Sequence, residues 1–250
     1  MKTIGFFGDS FCSDRTDPTN RVKTYIETVC EELNVTCTHT GHGGSSVWDL
    51  YLKQFIPKLK SNTLPDVCVM VWTEPYRLYH HSVRNMTYST VEQNQKKTAL
   101  WQAAYQYYQL LLDHDKTLWE YRMLMDYFDR RIAQQCPKTK FVHMWSFGYS
   151  EHWSDETFRT GAVEYLHDWR MGVEIRPAMV SVALQGATTM QQMGEQCANH
   201  LVDQTKHDII AGAIVDAVTD YRWGRKIDML PEMGGILAEH ARMGPADQKK

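Results

Sequence analysis

Three things are scarce in this sequence. No apolar run approaches the ~20 residues that a membrane-spanning helix needs. None of the six cysteines (Cys12, Cys30, Cys37, Cys68, Cys136, Cys197) forms a CxxC pair, so a thiolate zinc site has no support. Charge of either sign is not in excess: 27 Lys and Arg against 30 Asp and Glu leave a formal net charge of -3. That balance gives no electrostatic case for nucleic acid or an anionic membrane as partner. His39, His42, His80, His81, His143 and His152 lack metal-ligand spacing, so neither a metal nor another cofactor is expected. There is no internal repeat and no low-complexity block.

What remains is an ordinary globular composition, with 250 residues, 43% of them hydrophobic. That length is enough for one sizeable core. Met1 to Asp9 is too short for a signal-peptide core and meets an acid at once. It is read as the first strand of a protein that stays in the cell that makes it, or that becomes part of a virion. Reduced thiols follow from that setting. Cys30 and Cys68 lie in apolar-patterned segments and are expected in the core.

Strand and helix signals alternate. Thr3 to Phe7 is an apolar run stopped by Gly8. Asn20 to Leu33 carries Val22, Tyr25, Ile26, Val29 and Leu33 at helical spacing. Val35 to Thr40 reads as a second strand, Gly41 to Ser46 as a loop, and Trp48 to Leu59 as a helix ending near Lys60-Ser61-Asn62. "PDVCVMVW" (65–72) is a continuous apolar strand, suited to a sheet covered on both faces. This order predicts a three-layer α/β/α fold around a flavodoxin-like parallel sheet. Residues 78–135 form a helical insertion with an aromatic stripe, read first as a face packed on the sheet and otherwise as a homo-oligomer surface over 98–135. A fourth strand falls in 138–148, irregular loops in 149–199, and a strong helix in 202–218. The main domain is thus placed at 1–220, with an extension at 221–250.

Four polar clusters fall where the strands end, the edge at which open parallel sheets bind ligands. They are Gly8-Asp9-Ser10, Gly41 to Ser46, Thr73-Glu74-Pro75, and Asn199-His200 ahead of the last helix. A serine hydroxyl needs a base to act as nucleophile, and the oxyanion it forms needs donors. Ser10 can offer its own N–H, a loop glycine can bring another close, and His200 can serve as the base. His207, one turn into the helix, is the rival histidine, read as lying at the surface or behind the catalytic groups.

At these residues the chain resembles the SGNH hydrolases of the GDS type, a lipase and esterase superfamily. "FFGDSFC" is similar to the first block of that family, "THTGHGGSSVWD" to its second, and "NHLVDQTKHDIIAGAI" to its last. The resemblance implies Ser10 as nucleophile, His200 as base, and an oxyanion hole from the N–H groups of Ser10 and Gly44. The family's third block reads Gly-x-Asn-Asp, but this chain has "VWTEPYR" there, with Thr73 or Glu74 at the asparagine position. Thr73 or Arg77 is the substitute donor. The aspartate three residues before the histidine is replaced by Cys197, with Glu195 and Asp203 as other acids nearby. Asp9 is expected to hold structure rather than to catalyse. His42, Glu74, Arg77 and Asn199 are expected around the substrate or behind the catalytic pair.

The expected activity is hydrolysis of a small ester, above all an O-acetyl group on a carbohydrate, with Trp145, Trp153 and Trp169 available to stack on sugar rings. A lipid substrate is disfavoured by the lack of a long apolar segment. The alternative is an SGNH fold that has lost catalysis and serves binding or assembly, for example in a phage particle.

Overall fold

The computed structural model describes residues 1–13, 22–83, 86–147, 167–183, 201 and 204–230. Its centre is a six-stranded sheet with every neighbouring pair parallel. The strands are β1 (Thr3–Phe7), β2 (Thr36–His39), β3 (Val67–Trp72), β4 (Lys140–Trp145), β5 (Val173–Arg176) and β6 (Arg225–Asp228). They lie in the order β2-β1-β3-β4-β5-β6. That is the flavodoxin-like order with one strand added, and the expected fold class stands.

Register sorts the strand residues onto two faces. Ile4 and Phe6 share one face with Val67 and Val69. Helix α1 (Tyr25–Glu32) covers it with Tyr25, whose ring meets Phe6 at 5.8 Å. The last long helix, Gln204–Thr219, lies beside α1 and against β4 and β5. The opposite face carries Phe7, Met70, Trp72, Phe141 and His143. A helix labelled α2 covers it, in three successive segments: Val47–Asp49, a π segment Leu50–Phe55, and Ile56–Lys60. Phe55 of that helix contacts Phe7 at 5.9 Å and Phe128 at 5.0 Å. The π segment lies just before Pro57, which has no N–H to give a regular turn.

Both crossover helices end the same way. Asn34 takes φ 50°, with Val35 N–H bonded to Cys30 O at 2.9 Å and Asn34 N–H to Glu31 O at 3.1 Å. Asn62 takes φ 55°, with Thr63 N–H bonded to Lys58 O at 2.9 Å and Asn62 N–H to Leu59 O at 3.1 Å. These are Schellman endings with asparagine in the left-handed position, and they set where the next strand begins. At its start, α1 has a capping box between Thr24 and Glu27.

The helical insertion splits in two. Helices α3 (Tyr88–Asn94) and α4 (Ala99–Leu110) form a small separate cluster of Met86, Val91 and Ala104. Only α5 (His114–Tyr127) and the π segment after it, Phe128–Ile132, reach the main core, through Leu118, Tyr121, Leu124, Met125 and Phe128. The expectation that the whole aromatic stripe packs on the sheet therefore holds for α5 and not for α4. In α4 only Ala104 is buried.

Two strands lie where none was expected. β5 falls inside the stretch read as loops, and β6 inside the stretch read as an extension beyond residue 220. Their sequences, VEIR and RKID, alternate with charged residues. In β5 the charge is buried by pairing: Glu174 accepts from Arg176 at 2.9 and 3.0 Å and from the Trp145 indole at 3.2 Å. Burial still holds the Glu174 carboxyl above its ordinary pKa, against the pull of Arg176.

Beside this pair, Trp169 stacks on His143 with ring centres 3.7 Å apart and planes at 2°. His143 accepts at Nδ1 from the Trp72 indole at 3.2 Å, and its Nε2 lies 3.2 Å from Met171 O. Burial lowers its pKa to about 3, so the ring is neutral and Nε2–H donates. Asp129, on the π segment, accepts from the N–H groups of Arg170 and Met171 at 3.1 and 2.7 Å and lies 3.4 Å from His167. Trp145 and Trp169 are 1% and 2% exposed, so neither can stack on a sugar as expected. Their indoles fill the core instead, and Trp153 lies outside the described residues.

Candidate functional site

The site begins where β1 runs out. A Cβ on Gly8 would sit 2.6 Å from Val71 O and 2.9 Å from Cys12 Sγ, so β1 can pass β3 here only as glycine. Asp9 follows, fully buried. Its Oδ1 caps the 3₁₀ turn Ser10–Cys12 by accepting from Phe11 N–H at 3.0 Å, and it also accepts from the Ser146 hydroxyl at 2.9 Å. Ser146 follows β4, so Asp9 ties two strand ends together. Ser10 heads the turn and is half-buried. Cys12 N–H closes the turn on Asp9 O at 3.2 Å, and Tyr25 O–H bonds Phe11 O at 2.9 Å.

The second loop is pinned to the first by backbone. Gly41 N–H bonds Cys12 O at 2.8 Å, and His42 N–H bonds Gly8 O at 3.0 Å. A Cβ on Gly41 would come within 2.4 Å of Cys12 Sγ, which fixes glycine there as well. A Cβ on Gly43 would lie 3.9 Å from Ser10 Cβ, so the exposed Gly43 faces the serine. Gly44 takes φ 74° and turns the chain into Ser45 and Ser46. Gln54 of α2 clamps the arrangement. It accepts from Gly8 N–H at 3.0 Å and donates to Gly8 O at 2.8 Å and to the Ser45 hydroxyl at 3.1 Å. The His42 ring stands edge-on to His39 at 5.7 Å. Burial lowers the His39 pKa to about 4, outweighing its contact with Gln54.

The third loop holds a charged cluster. Arg77 donates to Glu74 through Nε and to Ser45 O through Nη1 at 3.1 Å, and Nη1 is 3.4 Å from Asp9 Oδ2. Burial works against its charge, but Glu74 and Asp9 outweigh it and raise its pKa. The guanidinium also lies over the Phe147 ring, 5.3 Å from its centre. Thr73 donates its hydroxyl to Glu74 at 2.6 Å, and Tyr121 O–H bonds Thr73 O. In this arrangement the Thr73 hydroxyl and two guanidinium nitrogens are taken up by partners within the fold.

The structure therefore brings Asp9, Ser10, Gly44, Thr73, Glu74 and Arg77 into one linked assembly, with His42 beside it. Asn199 and His200 lie outside the described residues, as do Glu195, Cys197 and Asp203. His207 is 7% exposed, not a surface residue, and its Nδ1 accepts from Tyr25 N–H at 3.1 Å at the start of α1. Three residues that the sequence reading passed over complete the site, Gln54, Tyr121 and Ser146, together with Ser45 of the Gly41–Ser46 cluster. Gln54 and Tyr121 sit in apolar helical stripes, where nothing in spacing distinguishes a polar clamp from a core position.

A groove opens beside Arg77, lined by Trp48, Tyr76, Tyr79 and Tyr107. It shares Trp48 and Glu120 with a wider cleft that adds Tyr51, Trp119 and Tyr127. Among the described residues no cluster of three or more His, Cys, Asp or Glu could hold a metal, and no helix is long and apolar enough to cross a membrane.

No family model matches the chain, and no curated protein matches it. Solved structures similar to it include an acetyl xylan esterase, AlAXEase, at 16% identity over 98% of this chain and 84% of that one, with a TM-score of 0.33. A structure described as a GDSL-like lipase from Parabacteroides merdae is 15% identical over 95% and 94%, with a TM-score of 0.31. A carbohydrate esterase family 2 enzyme with a carbohydrate-binding domain, from Corynascus thermopiles (Myceliophthora fergusii), is 15% identical over 87% and 67%, with a TM-score of 0.35. Likenesses this distant carry no argument about chemistry.

Proposed function

We propose that the chain is a serine ester hydrolase acting on a small O-acyl ester, with an O-acetyl group on a carbohydrate as the favoured substrate. The observation that carries this reading is the placement of Ser10. It is half-buried on a tight turn at the carboxyl end of β1, its Cβ faces the bare Cα of Gly43, and β1 is where the strand order reverses. Ser10 attacks the ester carbonyl, and His200 takes its proton and returns it to the leaving alcohol. The N–H groups of Ser10 and Gly44 hold the oxyanion. The exposed rings of Tyr79 and Trp119 and the half-buried Trp48 support a sugar-bearing ester, since pyranose faces stack on aromatic rings.

A second reading is a retained fold without catalysis, serving binding or assembly in a larger particle. The engagement of the Thr73 hydroxyl and of Arg77 Nε by Glu74 favours it, because the donors of the third loop are then turned toward a carboxylate of the fold. Turnover of p-nitrophenyl acetate by the wild type, Ser10→Ala and His200→Ala separates the two. The hydrolase reading expects wild-type turnover, with both variants falling to background, a loss of about 10³-fold or more. One shared slow rate in all three proteins favours the second reading.

A further inference from the structure

Cys30 on α1 and Cys37 on β2 are seven residues apart, and both are thiols in this structure. The Schellman ending of α1 returns the chain so that Val35 N–H meets Cys30 O, which starts β2 directly beside Cys30. A register shift then separates the side chains of β2. Cys37 pairs with Ile4, on the face that α1 covers, whereas His39 pairs with Gly5, on the other. Cys37 is thereby aimed at α1, the helix that carries Cys30, and its thiol also donates to His39 O at 3.3 Å. Both are half-buried and line one open cleft with Glu27 and Thr38. Cys30, expected in the core, is half-buried and packs against it, whereas Cys68 is fully buried. Nothing in the ester-hydrolase reading uses this pair.

We propose that Cys30 and Cys37 form a dithiol site that a small disulfide of the oxidised-glutathione class converts into an intramolecular disulfide joining α1 to β2. One thiol loses its proton and attacks the small disulfide, forming a mixed disulfide and releasing one small thiol. The second thiol loses its proton and attacks the protein sulfur of that mixed disulfide, releasing the other small thiol. The chain loses two protons and two electrons, and one small disulfide becomes two thiols. The neighbouring Cys37 thiol, and after it burial, holds the Cys30 proton well above the usual thiol range. Exchange therefore quickens as pH rises toward that range. Because β2 leads into the Gly41–Ser46 loop, the bridge anchors the strand that carries the second half of the candidate site.

The test treats the full chain with oxidised glutathione, blocks remaining thiols with N-ethylmaleimide and digests it on the carboxyl side of glutamate. Cleavage after Glu31 and Glu32 separates Cys30 from Cys37 unless a disulfide joins them. The expected product is a joined fragment lighter by two hydrogens, absent in Cys30→Ser and in Cys37→Ser and retained in Cys68→Ser. It forms about tenfold or more faster in the native chain than in the same chain in urea, because the fold holds the sulfurs together. Three outcomes overturn the proposal: glutathione left on either cysteine without a second step, a bridge to Cys12 instead, or equal rates in native and urea-unfolded chain. The wild-type rates decide the matter even if a serine variant fails to fold.

Discussion

Asp9 and Asp129 are both almost fully buried, and each joins segments far apart in the chain. Asp9 does so beside a cation: Arg77 lies between it and Glu74, and the cluster opens onto a groove. Asp129 does so with backbone N–H groups and His167, and the histidine deepest in its surroundings, His143, stays neutral between Phe141 and Trp169. Burying a full charge is tolerable only where opposite charge and hydrogen bonds surround it. The cluster at the carboxyl edge of the sheet meets that condition with a cation, as Glu174 does with Arg176, and Asp129 meets it with backbone N–H groups. A buried acid by itself thus says little about function, and what matters is whether the cluster also reaches solvent beside a nucleophile.

The contrast can be broken from either side. Trp169→Ala removes the ring stacked on His143, and we expect the largest effect, a loss of about 4 kcal/mol in urea unfolding. Arg77→Met leaves Asp9 and Glu74 buried without their cation, and should cost about 3 kcal/mol. Ser10→Ala, in the same assembly, should stay within about 0.5 kcal/mol of wild type. If Arg77→Met is equally mild, the edge cluster is not the structural unit described here.

The same contrast extends to pH dependence. The folded pKa of His143, about 3, lies below the ordinary histidine value, so its contribution to stability is complete above pH ~6.5 and is lost as pH falls. The slope approaches about 1.4 kcal/mol per pH unit between ~6 and ~4, in the same direction as a weaker, partly screened term from His39. Arg77 stays charged across that window and adds nothing. His143→Gln should flatten the urea-midpoint profile, and an unchanged slope would refute the assignment.

Much of this architecture can be read along the chain. The run "VCVMVW" became β3, and Gly8-Asp9-Ser10 marked the end of β1, because both signals are local. The fold class followed from the same elements. β5 and β6 escaped notice because charged residues interrupt their apolar pattern: in β5, Glu174 is buried against Arg176, two residues on, and accepts from the Trp145 indole, 29 residues away. The exposed side of α4 was indistinguishable from a buried stripe for a related reason, since periodicity shows that a helix has an apolar face but not what covers it. In the site, the serine turn and the glycine loop were legible. The Asp9–Arg77 pairing was not, as the two residues stand 68 positions apart and no local pattern links them.

The described sheet ends in β2 on one side and β6 on the other, and the two margins differ from the interior strands. β2 is interrupted by its register shift and turns Thr36 and Thr38 outward. β6 is built from Arg225, Lys226 and Asp228 around a single isoleucine. An irregular strand and a charged strand are both poor templates for a neighbour's backbone, so the sheet resists being extended by another copy of itself. Chains crowded together during synthesis or storage are thereby kept from zippering edge to edge into fibrous aggregates.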